Sequence, residues 1–100
     1  MKPFIVTFTP GEAWVAGKTS REQPFWDRHA VFMDGLFADG RIILGGPLED
    51  YSCVIVIVNA ADVGDVEAMF ADDSFLTNEI LKFQSINEWM IFLDSRKANS

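Results

Sequence analysis

Apolar residues along this chain follow two rhythms, and the change from one to the other marks the elements. Residues 4–8, Phe-Ile-Val-Thr-Phe, are β-branched or aromatic and are stopped by Pro10-Gly11, which predicts a first strand. Residues 12–19 contain Trp14 and Gly17 but no period, and read as a loop. Phe25, His29, Phe32, Met33, Leu36 and Phe37 then fall at offsets 0, 4, 7, 8, 11 and 12, one continuous helical face. Asp27, Arg28 and Asp34 point elsewhere, as a solvated face should. Ser20-x-x-Gln23 matches a capping box and Pro24 suits a first turn, so the helix is expected to start with Thr19 or Ser20 as its cap. Gly40 is placed to end it in the left-handed conformation.

Beyond that glycine the short period returns. Residues 41–44 predict a second strand, running into Gly45-Gly46-Pro47, and residues 48–51 turn into a third strand over 52–58. Asp62 is a candidate cap for a second helix, whose buried stripe is Val63, Val66, Met69 and Phe70. Asp72-Asp73-Ser74-Phe75 restarts a short piece, and residues 83–93 predict a long fourth strand. Residues 1–94 thus form one domain, and residues 95–100 a polar tail.

The order βαββαβ is the split-βαβ arrangement, which predicts an α+β, ferredoxin-like fold: a four-stranded antiparallel sheet with both helices on one face. In such a sheet the second face should carry polar residues at alternate positions. Here residues 53–58 and 89–93 are apolar at both parities, so something must cover that second face. A two-fold partner stacking its own sheet there is the simplest solution, and a homodimer closing a dimeric α+β barrel is expected.

Composition narrows the function classes. With 100 residues, 49% of them hydrophobic, there is material for one packed core and not two. A net charge of -7, with eight scattered Lys and Arg, argues against a phosphate-tracking surface, so nucleic acid is not an expected partner. No apolar run is long enough to span a bilayer, and Met1-Lys2-Pro3 lacks the features of a signal peptide; the expectation is a cytoplasmic protein without a membrane partner. Cys53, the single cysteine, sits in an apolar strand and reads as a small core residue rather than a nucleophile. One histidine and scattered carboxylates do not make a metal site, and no glycine-rich motif lies between a strand and a helix, so neither metal nor nucleotide cofactor is expected.

Candidate chemistry centres on His29, the only histidine, which lies within the apolar helix face. An imidazole there is either a hydrogen-bonded core residue or a proton carrier whose second nitrogen is oriented by a carboxylate. Gly45 and Gly46 allow close backbone approach and carry N–H donors, whereas Pro47 has none. Trp14, Phe25, Trp26 and Phe32 are candidate apolar walls for a small-molecule ligand, and the Trp14 loop serves either to cover a pocket or to pin itself onto the core.

Three groups of residues resemble the YCII-related (YciI-like) family of dimeric α+β barrels. They are Arg28-His29, the run Leu36-x-x-x-Gly40-x-Ile42-x-x-x-Gly46-Pro47-Leu48, and Asp73-Ser74-Phe75. The resemblance implies an active-site dyad of His29 and Asp73, the aspartate coming from an Asp-Pro-aromatic motif. Ser74 departs from that motif by standing where proline is usual, which leaves Asp72 as a competitor for the role. Two functions follow: an enzyme moving a proton in the elimination, isomerisation or hydrolysis of a small cyclic or aromatic compound, or a non-catalytic metabolite-binding or accessory dimer.

Overall fold

The computed structural model describes residues 1–97. Four strands, β1 (Lys2–Pro10), β2 (Ile42–Pro47), β3 (Val54–Ala60) and β4 (Leu81–Glu88), alternate with α1 (Trp26–Ala38), α2 (Val63–Phe70) and the single-turn α3 (Ser74–Thr77). The sheet order is β2-β3-β1-β4 with every pairing antiparallel, which is the ferredoxin-like plan. Phe4, Val6 and Phe8 of β1 join Val56, Val58 and Ala60 of β3 and Val66 and Phe70 of α2 in one buried cluster. The alternate residues Ile5 and Ile57, paired across β1 and β3, face the other way, as does Ile55. That second face carries an apolar patch of Ile5, Ile55 and Ile57 beside polar residues, with Thr7 hydrogen-bonded to Ser85 and Asn87 opposite Ile5.

Element boundaries moved where neighbours overrode local pattern. Instead of a helix from Ser20, Thr19 caps a single 3-10 turn, Ser20–Glu22, and its backbone N–H donates to Glu22 Oε1 at 2.9 Å. Pro24 forces the residue before it into an extended conformation, φ -72° and ψ 151° at Gln23, so the two helical pieces cannot join. At the other end Gly40 takes φ 78°; its N–H donates to the Phe37 carbonyl at 3.1 Å and the Arg41 N–H to Leu36 at 2.9 Å, a Schellman ending as expected. β2 extends through Gly45-Gly46-Pro47 because β3 pairs it that far, and β3 starts after an Asp50–Ser52 turn in which Asp50 Oδ1 accepts the Ser52 N–H at 3.0 Å. β4 ends at Glu88 rather than residue 93. Its only neighbour, β1, begins at Lys2, and after Trp89 donates to the Pro3 carbonyl there is no strand left to pair with. Met90, Phe92 and Leu93 beyond it are largely exposed. Cys53 is half-buried just before β3, its sulfur 3.7 Å from Gln84 Oε1, and is not part of the core.

Two contacts fix the edges of this frame and give predictions. Gly11 donates to the Ile80 carbonyl at 2.9 Å, and a Cβ on it would lie 2.2 Å from the Glu79 carbonyl oxygen. Gly11→Ala must therefore push β1 off the turn that leads into β4, and is expected to lose about 1–3 kcal/mol in urea denaturation. Asp65 accepts the Ala61 N–H at 2.9 Å and, secondarily, the Arg41 guanidinium at 3.1 Å; both hold its carboxyl below the ordinary 3.8. A folded-state pKa below the unfolded one gives stability that is present above the unfolded value and lost as pH falls through the folded value. The thermal midpoint of the wild type should exceed that of Asp65→Asn by most above pH ~5, with the gap closing toward pH ~3. A gap that stays constant over that range would contradict the assignment.

Candidate active site

No residue of α1 is fully buried. The helix rides above β2 and β3 instead of sealing onto them, and the space beneath is a cavity of about 520 Å³. Met33 and Phe37, one and two turns after His29, line its helix side with the imidazole itself, while Phe8, Val54 and Val56 line its sheet side.

His29 Nδ1 lies 2.7 Å from Asp73 Oδ1, with the two side chains 12% and 3% exposed. An ionised carboxylate only accepts, so Nδ1 carries the proton of that bond and Nε2 of the neutral ring presents its lone pair. Nε2 has no hydrogen-bond partner among the described residues, yet no buried side-chain nitrogen or oxygen there lacks one; the atom is thus reachable by solvent. Phe75 lies flat against the imidazole, centroids 3.9 Å apart and planes within 4°. Trp26 tilts over it at 5.6 Å. One nitrogen is held, the faces are packed, and the other nitrogen is free.

Asp73 is fixed from its own side as well. It is the cap of α3, and the same Oδ1 accepts the Phe75 N–H at 3.3 Å. Ser74, standing where the resemblance leads one to expect proline, donates its hydroxyl to the Phe25 carbonyl at 3.2 Å. That bond ties the first turn of α3 to the residue capping α1, so a hydrogen bond anchors what a ring would have stiffened. Phe25 itself sits at φ 68°, a left-handed conformation that is strained for a residue of its size. Asp72, by contrast, is exposed, and Asp73 alone meets the imidazole.

The other sequence candidates divide. Trp26, Gly45, Gly46 and Pro47 line the cavity with the dyad. Trp14, Phe25 and Phe32 do not. Trp14 packs against the core with its ring 6.4 Å from that of Tyr51, so its loop is pinned rather than poised over the cavity. Phe25 is 43% exposed because the left-handed cap turns it out of the helical face, and Phe32, on the same broad face as His29 and Met33, packs against the core and does not line the cavity.

No family model, curated protein or solved structure matches this chain.

Two residues escaped the sequence reading. Gln23 is 3% exposed, and its amide accepts the Val15 N–H at 2.8 Å and donates to the Val15 and Lys18 carbonyls at 3.0 and 3.3 Å, stapling the loop over residues 12–19. The pattern Ser20-x-x-Gln23 suggests a capping box instead, but Glu22 meets the cap at Thr19 and leaves the Gln23 amide to the loop. Phe75 was visible as an aromatic after Asp73-Ser74, but not as the surface on which the imidazole rests. Among the described residues no group of three or more His, Cys, Asp or Glu is placed to hold a metal, and no helix is long and apolar enough to cross a membrane.

Proposed function

We propose that this chain is a small-molecule enzyme in which His29, oriented by Asp73, moves a proton to or from a cyclic or aromatic compound held in the apolar cavity. The observation that carries it is the 2.7 Å bond at Nδ1 combined with an unpartnered Nε2 at the wall of a 520 Å³ cavity. A purely structural histidine has no need of a solvent-reached second nitrogen, and a cavity of this size is in the ordinary range for small ligands. Elimination, isomerisation and hydrolysis all use such a group, which takes a proton at Nε2 and returns it in a later step. The resemblance to the YCII-related family, at Arg28-His29, Gly46-Pro47 and Asp73-Ser74-Phe75, supports the same dyad. The working unit is a cytoplasmic homodimer, with the partner covering the apolar patch of Ile5, Ile55 and Ile57 and the exposed segment over residues 89–93. Light scattering should give twice the chain mass at micromolar concentration, and a monomer would remove the barrel.

The test is turnover of a panel of small lactones and cyclic enones by the wild type and by His29→Ala. Loss of the proton carrier is expected to lower kcat by about 10²–10⁴-fold with the fold retained. Turnover that survives His29→Ala overturns the reading. The near-complete burial of the dyad favours the second reading, a metabolite-binding domain; that reading expects ligand to be retained unchanged and the variant to lose stability instead.

A further inference from the structure

The walls of the cavity carry charge of one sign only. Asp34 and Asp73 line it, and no lysine or arginine does. The Arg21 guanidinium lies over the Trp26 ring, 6.0 Å from its centroid, and outside the lining, while Arg41 is engaged with Asp65 and the Asn59 carbonyl. Asp27 occupies the first turn of α1, where it opposes the positive end of that helix. With the imidazole neutral, a bound carboxylate or phosphate would thus leave water with no lysine or arginine to meet, against a chain whose net charge is -7.

We infer that the cavity takes a ring compound bearing no negative charge, and that Asp34, on the rim, sets this selectivity. The inference rests on the cavity being the ligand site, as proposed above. Asp34 is exposed and has no ion-pair partner among the described residues, so it repels an anion entering the cavity and attracts an ammonium group. Asp73 has its charge taken up by two hydrogen bonds and is not available for that purpose.

Three probes of nearly equal size separate the outcomes: benzyl alcohol, benzylamine and benzoate, titrated at neutral pH while the ring signals of the single imidazole are followed by NMR. Benzyl alcohol and benzylamine are expected to shift those signals with saturation, and benzoate to bind at least about tenfold more weakly. Asp34→Lys, a change on an exposed helix position, should recover benzoate binding by about tenfold and weaken benzylamine. Benzoate binding to the wild type as tightly as benzyl alcohol, or indifference of all three to Asp34→Lys, overturns the selectivity while leaving the cavity as a ligand site. If no probe moves the imidazole signals, the ligand site itself fails, and the selectivity with it.

Discussion

Phe75→Ala is expected to destabilise the protein by about 3–5 kcal/mol, the usual cost of emptying a buried phenylalanine site. Phe75 is 1% exposed, and its ring fills the layer between the core and the imidazole of His29. Stability for a domain of this length is typically about 5–15 kcal/mol, so the loss should be plain as a lower urea midpoint. Phe75→Leu keeps most of the volume and should cost under about 1.5 kcal/mol. It nonetheless removes the flat surface, and the His29 ring protons should move downfield as the ring-current shielding of the stack disappears. A cost below 1 kcal/mol for the alanine variant would mean that Phe75 does not support the site as described.

The second large effect belongs to Asp73. Its carboxylate accepts two bonds, from His29 Nδ1 at 2.7 Å and from the Phe75 N–H at 3.3 Å, in a place where water reaches little of it. Asp73→Ala leaves both donors without an acceptor, at roughly 1–3 kcal/mol each, for an expected loss of about 2–6 kcal/mol. Asp73→Asn keeps an acceptor oxygen and should lose less, but its amide competes to donate to Nδ1 and so disturbs the ring's tautomer. The control is next door. Asp72→Ala, on an exposed side chain, should stay within about 0.5 kcal/mol of wild type. Equal losses at the two positions would contradict the assignment of the dyad to Asp73.

Much of the frame was legible because it depends on local chemistry. The Gly40 stop, the Asp62 cap, whose Oδ1 accepts the Asp65 N–H at 2.8 Å, and the order βαββαβ each follow from residues within a few positions of one another. What moved depended on partners remote in sequence. β4 ends where β1 begins, whatever the β-propensity of Trp89 to Leu93, and β2 runs on through two glycines and a proline because β3 offers it a ladder. The helix start was a different failure. Pro24 suits a first helical turn, but it also holds Gln23 before it in an extended conformation and so separates the 3-10 turn from α1.

The site shows the same division. His29, Asp73, Trp26 and the Gly-Gly-Pro run meet at one cavity, and the helical period at His29, Met33 and Phe37 already grouped its helix side. That period could not separate Phe32 from Met33. A face broad enough to hold both serves core and cavity at once, and only the tilt of α1 over the sheet decides which residue goes where. Trp14 and Phe25 were placed by backbone events, the Gln23 staple and a left-handed cap, that leave little trace in hydrophobic pattern.

The central claim is that Asp73 fixes the imidazole with its proton on Nδ1 and leaves Nε2 free to work. Nitrogen-15 NMR of the single histidine, taken where the ring is neutral, reads this directly, because protonated and unprotonated ring nitrogens have well-separated shifts. The account predicts a protonated Nδ1 and a bare Nε2 in the wild type, with the preference weakened or reversed in Asp73→Asn. A wild-type ring protonated on Nε2, or exchanging freely between tautomers and indifferent to Asp73→Asn, would contradict it.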